Sequence, residues 1–206
     1  MSRIFALIPA AGHSRRMQSP KLLLPVHGRP VIDHLLDALV PAVDSVFILV
    51  RQSDTALKQA LAHHPAVNIV EAPTDPPEMR SSVELLLEQV DLRCAPSDHD
   101  AWLLTPADHP IVRPTVLRAL IDHFNADPGA IHIPTCEGRG GHPTLFPWPL
   151  AQQVKHLPQG EGLNSLKRVP GVRTSTHPTT EPSILWDLDT PDDYQRLLAS
   201  LVVPSA

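Results

Sequence analysis

Apolar residues in this chain fall in short runs set apart by polar, proline-rich stretches. Ile4-Phe5-Ala6-Leu7-Ile8 is an unbroken apolar run of strand length, and such runs suit strands buried on both faces. Residues 45–50, 67–70, 101–104 and 130–134 read as further strands, and 172–176 as an extended segment. Between them the period becomes helical. Residues 31–39 have it, with Pro30 at the first helical position and Pro41 ending the run. Ser53 or Asp54 can cap a helix reaching about residue 63. Arg80-Ser81-Ser82 opens another through about residue 88, with Ser81 a natural N-cap. Residues 93–100 read as an exposed connection. Residues 113–124 carry Val116, Leu117, Leu120, Ile121 and Phe124 on one side of a helix. Shorter helices are expected at 150–156 and 163–168. Residues 183–194 read as strand, turn and helix, with Thr190 as N-cap, Pro191 at N1, and Asp192 and Asp193 at the positive helix end.

Strands alternating with helices predict an α/β fold: one domain over residues 1–201, with a mostly parallel twisted sheet and helices on both faces. The glycine-rich stretch Cys136-Glu137-Gly138-Arg139-Gly140-Gly141-His142 adds a β-hairpin extension. Residues 202–206 are expected to form a frayed tail.

Composition narrows the class. The chain has 206 residues, 42% hydrophobic and 19% charged, which suits one globular domain. Aromatics make up 4%, so the core must be mainly aliphatic. Cys94 and Cys136 lack metal-ligand spacing and read as free thiols. No apolar run is long enough to span a bilayer, and the first residues lead directly into a strand. These features place the expected location in the cytoplasm, with no membrane partner. A net charge of −5 argues against a nucleic-acid binder, whose footprint is basic. It does not argue against a nucleotide site, where a few local cations and a divalent metal set the field.

The candidate chemistry begins where the first strand ends. Pro9-Ala10-Ala11-Gly12-His13-Ser14-Arg15-Arg16-Met17 runs on to Lys21-Leu22-Leu23-Leu24-Pro25. Small residues at Ala10, Ala11 and Gly12 let backbone approach a ligand, and Gly12 can adopt a positive φ. Arg15, Arg16 and Lys21 follow at once. Strand, small-residue turn and cations suit a polyphosphate, cradled by N–H groups and neutralised by side chains. The loop is neither a Walker A sequence nor a dinucleotide fingerprint. Farther on, Asp108 follows the 101–104 strand. A carboxylate past the C-terminal end of a parallel strand stands where such sheets bind ligands, although Asp before a turn also has purely local uses.

These residues resemble the signature loop of the MobA-like nucleotidyltransferases. Within that family, Ala10-Ala11-Gly12 is similar to the molybdenum cofactor cytidylyltransferase branch, where the guanylyltransferase branch has Ala-Gly-Gly. Asp108-His109-Pro110 resembles the family's metal-binding Asp-x-Pro, and Asp187-Leu188-Asp189-Thr190-Pro191 its Asp-x-Asp-Thr-Pro. Gly138-Arg139-Gly140-Gly141-His142-Pro143 looks like the branch's Gly-Arg-x-Gly-His-Pro element. The chain departs from the family at Gln18, where Gly is usual, and at Glu78-Met79-Arg80, which replaces a glycine-containing turn.

The resemblance implies a Mg²⁺-dependent transfer of CMP from CTP to the phosphate of a molybdopterin-type cofactor, with pyrophosphate released. Pro9, Ala10, Ala11, Gly12, Arg15, Lys21 and Ser81 would bind the nucleotide. Arg15, Lys21 and Asp108 would carry the chemistry, and Asp108 with Asp189 would hold the metal. Arg139, Gly141 and His142 would face the acceptor. Transient contact with a molybdoenzyme or a maturation chaperone is a further expectation. Open alternatives are the same chemistry with GTP, a sugar-phosphate nucleotidyltransferase, and a non-catalytic nucleotide or cofactor binder.

Overall fold

The first strand explains the layering. In β1 (Ile4–Pro9), Ile4, Ala6 and Ile8 belong to one buried cluster and Phe5 and Leu7 to another. Successive side chains point to opposite faces, so a fully apolar strand must be covered on both. The computed structural model describes residues 2–13, 17 and 19–200; Ser14, Arg15, Arg16, Gln18 and the 202–206 tail lie outside them.

In chain order, a 3-10 turn at Lys21–Leu23 leads to a small hairpin of β2 (Pro25–Val26) and β3 (Arg29–Pro30), then α1 (Val31–Leu39), β4 (Ser45–Arg51), α2 (Thr55–Leu61) and β5 (Val67–Ala72). There follow α3 (Met79–Cys94), β6 (Ala101–Leu104), α4 (Pro114–Ala126), β7 (Ala130–Cys136), β8 (Arg139–Gly140) and β9 (Thr144–Pro147). The chain continues through α5 (Leu150–His156), a 3-10 segment at Leu163–Arg168, β10 (Arg173–Pro178), a 3-10 turn at Pro182–Leu185 and α6 (Pro191–Ser200). None of the described helices is long and apolar enough to cross a membrane.

Eight strands form the main sheet in the order β10-β7-β9-β6-β1-β4-β5, with β8 paired to β7. β1 pairs in parallel with both β4 and β6, β4 with β5, and β7 with β10. β9 is antiparallel to β6 and β7. Leu35, Leu36, Leu57, Leu61, Leu117 and Phe124 cover one face of the sheet. Val83, Leu86, Val90, Leu150 and Val154 cover the other. After β5 the chain crosses by α3 to β6, on the opposite side of β1 from β4. This is a strand-order reversal of the kind that opens a crevice at the carboxyl ends of the strands.

Local chemistry accounts for most boundaries and corrects several expectations. Asp54 is the cap of α2, accepting from the Leu57 N–H at 3.1 Å. His27 and Gly28 both have positive φ, as do Glu137 and Gly138, which matches two-residue hairpin turns at both places. Pro30 is the N-cap of α1 rather than its first residue. Glu78, not Ser81, caps α3, and its side chain makes no capping bond. Residues 183–185 lie in a 3-10 turn, not a strand, because Pro182 lacks the N–H a ladder needs. At α6, Thr190 Oγ1 accepts from the Asp193 N–H at 3.2 Å while Asp193 accepts from the Thr190 N–H at 2.8 Å. This reciprocal box gives Asp193 a structural task, as expected.

The connection after α3 is mostly exposed, as expected, but starts later and ends on a buried carboxylate. α3 runs on to Cys94, and Asp100 is buried. Its carboxylate accepts from the N–H groups of Arg3 and Ser97, both at 2.8 Å, and from the Arg3 guanidinium. Burial opposes ionisation, but these donors outweigh it and hold the Asp100 pKa at about 2, against an ordinary 3.8. The native state therefore keeps the carboxylate ionised where the unfolded chain protonates. Its contribution, about 2 kcal/mol, is present above pH 3.8 and lost as pH falls through about 2. We expect Asp100→Asn to lose most of that stability at pH 7 in urea titrations, and the gap to narrow on acidification. A gap that persists at low pH would assign the loss to something other than the charge.

Candidate active site

The cleft at the reversal point has a volume of about 780 Å³. Pro9, Ala11 and Gly12 line it from the end of β1, Pro106 and Asp108 from the end of β6, and Asp75, Glu78, Met79 and Ser82 from the β5–α3 connection and the start of α3. Met17, Lys21 and Asp189 line it too. The two adjacent strands at the reversal, β1 and β6, thus carry the small-residue loop and the strand-end carboxylate to one place.

Lys21 is the centre of the arrangement. Its ammonium donates to Asp189 Oδ1 at 2.8 Å and to Asp108 Oδ2 at 3.1 Å. Its side chain is 12% exposed, against 30% for Asp108 and 20% for Asp189. Burial works against the charge, but the field and hydrogen bonds of Asp108 and Asp189 outweigh it and raise the Lys21 pKa above 10.5. The ammonium is thus charged at any working pH. Its placement follows from local packing. The 3-10 turn is anchored by buried Leu22 and by Leu23 against one core cluster, while Met17 and Leu24 pack with Val26, Val31 and Leu188. The two carboxylates are also tied together by main chain, since the Leu188 N–H donates to the Asp108 carbonyl at 2.7 Å.

The other loop residues divide by role. The Ala10 N–H donates to the Leu49 carbonyl at 2.9 Å, and the Ala10 and Ala11 methyls pack into opposite core clusters. Gly12 is not held at positive φ, contrary to the conformational argument from sequence. A Cβ placed on it would meet nothing within 4 Å, so the space beside it is open towards the cleft. Arg15 lies outside the described residues. Ser81 does not line the cleft; its neighbour Ser82, 6% exposed, does. Helical geometry explains the exchange, because adjacent residues point about 100° apart.

Arg139, Gly141 and His142 are not among the residues lining the cleft. Arg139 is exposed on the hairpin. Gly141 and His142 are packed beside the Pro182–Leu185 turn: the His142 N–H donates to the Ile184 carbonyl at 2.8 Å. The His142 ring sits edge-on to His109 at 4.7 Å, and its Nδ1 donates to the Leu104 carbonyl at 3.3 Å. Burial, with His109 beside it, lowers the His142 pKa to about 4, so the imidazole is neutral near pH 7.

Sequence reasoning missed two features. His13 Nε2 lies 2.8 Å from Asp75, and the Arg51 guanidinium lies 2.6 Å from His13 Nδ1 while also pairing with Asp54 at 2.9 Å. Since Arg51 can only donate, Nδ1 accepts and the proton sits on Nε2, facing Asp75. This link joins the loop after β1 to the loop after β5 across the cleft. Nothing in the spacing of residues 13, 51 and 75 announces it. The second is Arg80, part of the departure from the family's glycine-containing turn. Its guanidinium pairs with Glu84 at 2.8 Å and donates to the Pro158 carbonyl at 2.9 Å. That ties the start of α3 to the end of α5, so the substitution has a packing reason.

The donor set suits a hard divalent cation. Asp108 and Asp189 reach the same ammonium, so both carboxylates face one point of the cleft. Among the described residues there is no group of three His, Cys, Asp or Glu able to hold a metal. Mg²⁺ is commonly bound by one or two carboxylates with substrate phosphates and water completing its shell, and the cleft has room for both.

Comparison with known proteins agrees with this geometry. The bifunctional protein GlmU of Alkalilimnicola ehrlichii is 32% identical over 140 residues, which cover 65% of this chain and 28% of GlmU. The 2-C-methyl-D-erythritol 4-phosphate cytidylyltransferase of Vibrio vulnificus is 31% identical over 127 residues, 59% of this chain and 50% of that enzyme. The chain therefore spans half or less of the length of these relatives. Rv0371c from Mycobacterium tuberculosis superposes with a TM-score of 0.78 at 27% identity, covering 97% of this chain and all of that one. Rv0371c has also been crystallised as a manganese complex. The MobA-like NTP transferase domain model matches residues 6–176, which take in the loop after β1, Lys21, Asp108 and the hairpin: the chain belongs to the MobA-like NTP transferase family.

Proposed function

We propose that this protein transfers a cytidylyl group from CTP to the phosphate of a molybdopterin-type cofactor and releases pyrophosphate. The observation that carries the nucleotidyl-transfer reading is Lys21 held between Asp108 and Asp189 in the cleft at the carboxyl ends of β1 and β6. The cytidylyl reading is supported by Ala10-Ala11-Gly12 and by the cytidylyltransferase relative. The cofactor acceptor rests on the resemblance of the 138–143 element.

In this reading an oxygen of the acceptor phosphate attacks the α-phosphorus, and the bond to the β-phosphate bridging oxygen breaks with its electron pair leaving on pyrophosphate. No general base is needed, because a phosphomonoester is largely ionised near pH 7. The loop at Pro9, Ala11 and Gly12 lies close to the triphosphate, and Arg15 and Lys21 neutralise the charge that builds on the leaving group. Asp108 and Asp189 would hold a divalent ion, which would supply Lewis acidity and charge neutralisation when bound. Ser82 presents a hydroxyl to the nucleotide side of the cleft. Arg139 is the hairpin residue exposed enough to meet an anionic acceptor.

A panel of CTP, GTP and ATP with the purified chain tests the nucleotide. Ala11 lines the cleft but is 9% exposed, so its methyl offers little contact surface. A preference for CTP over GTP is the expected result. A GTP preference overturns the cytidylyl assignment. A second reading, with a phosphorylated polyol as acceptor, is favoured by the Vibrio vulnificus relative. Supplying each acceptor with CTP and measuring pyrophosphate separates the two, and no release with either leaves a nucleotide binder.

A further inference from the structure

The glycine-rich hairpin that the sequence assigns to the acceptor makes its closest contacts elsewhere. A Cβ at Gly141 would clash with the Ile184 carbonyl oxygen and lie 2.8 Å from its carbon. No side chain fits there without moving backbone. Gly141 is held from the other side as well: its N–H donates to Pro134 at 3.0 Å, and its carbonyl accepts from Thr144 Oγ1 at 3.1 Å. The His142 N–H then donates to Ile184. Ile184 is 2% exposed, packed with Val116, Leu120 and Cys136. Five residues later the chain reaches Asp189, after the Leu188 N–H has bonded to the Asp108 carbonyl at 2.7 Å.

We propose that Gly141, braced by Thr144, is a positioning residue that sets where Asp189 stands against Asp108 and Lys21. The inference rests on the metal-binding reading of those carboxylates and is independent of which nucleotide or acceptor is used. Three attachments act in series. Strand β7 holds Gly141 through Pro134, Gly141 and His142 hold Ile184, and Asp108 holds Leu188. Asp189 is left with little freedom between the last attachment and the α6 cap, where its own N–H donates to Asp193 at 3.2 Å. The His142 ring braces the same region from behind β6, through Leu104 and against His109. The glycine is required by the approach of the 182–185 turn.

The test is Mn²⁺ affinity of the full chain, read by electron paramagnetic resonance of the free ion, without nucleotide or acceptor. Changes in groups that orient metal ligands typically cost about 10–100-fold in affinity, and Gly141→Ala is expected in that range. Thr144→Val removes the hydroxyl that holds the Gly141 carbonyl and should shift affinity in the same direction by less. Thr144→Ser keeps the hydroxyl and should restore it. Thermal melts identify any variant that is merely unfolded; if Gly141→Ala is, the Thr144 pair decides. Folded variants with wild-type Mn²⁺ affinity overturn the positioning role. A wild type that binds no Mn²⁺, with or without CTP, overturns the metal reading and this inference together.

Discussion

Asp108→Asn is expected to lower kcat/KM for nucleotidyl transfer by about 300-fold or more, roughly 3.4 kcal/mol, while the protein stays folded. The substitution keeps the shape of the side chain and removes its charge. Two consequences follow in the site. A hard, anionic oxygen becomes a neutral amide oxygen, a weaker ligand for a divalent ion. Lys21 also loses one of the two carboxylates that hold its ammonium, at 3.1 Å, and keeps Asp189 at 2.8 Å. The fold survives because the structural contribution of Asp108 comes from its main chain, whose carbonyl accepts from the Leu188 N–H. Pyrophosphate release at saturating metal measures the first effect, and the thermal midpoint checks the second. Near-wild-type release would remove Asp108 from the chemistry. A large fall in midpoint would show that its side chain holds the loop.

What could be read from the sequence follows the physics of each signal. β1 was legible because five apolar residues in a row have few alternatives to a doubly covered strand, and Ile4 to Ile8 do divide between two cores. Lys21 and Asp108 were legible because topology alone brings the ends of β1 and β6 together. Asp189 was legible only through the family motif: the residues before it read as a strand and form a 3-10 turn. Two signals were ambiguous in themselves. A pair of serines at the start of a helix does not say which faces a ligand, and the register put Ser82 rather than Ser81 in the cleft. Three glycines in a hairpin do not say what they approach, and for Gly141 the neighbour is Ile184. The pairing of Arg3 with Asp100, and of His13 with Asp75, depends on side chains meeting across 97 and 62 positions. No local pattern encodes such contacts.

Lys21→Ala should separate two quantities that usually move together. Catalysis is expected to fall by about 10²–10³ in kcat/KM, the cost of removing one preorganised donor from charge that develops in the transition state. Metal affinity of the nucleotide-free protein is expected to rise instead. In the structure the Lys21 ammonium already bridges Asp108 and Asp189, the pair assigned to the divalent ion. A bound cation must share or displace that contact, so the lysine is a built-in competitor. Its pKa lies above the ordinary 10.5, so the competition persists at neutral pH. The linkage sign agrees: the ammonium's favourable contribution is complete below 10.5 and lost only as pH rises through its folded value. Deleting the ammonium removes a cation from between two carboxylates, which favours a metal ion in its place. Mn²⁺ titration of Lys21→Ala at pH 7.5 should therefore show tighter binding than wild type, in a protein whose turnover is nearly lost. Lys21→Arg should keep the charge and a metal affinity near that of wild type but misplace the donors, because guanidinium is planar and longer. If Lys21→Ala binds Mn²⁺ more weakly than wild type, the ammonium helps to organise the carboxylates rather than competing for them. If it turns over normally, the cation that meets the phosphates is another residue of the loop.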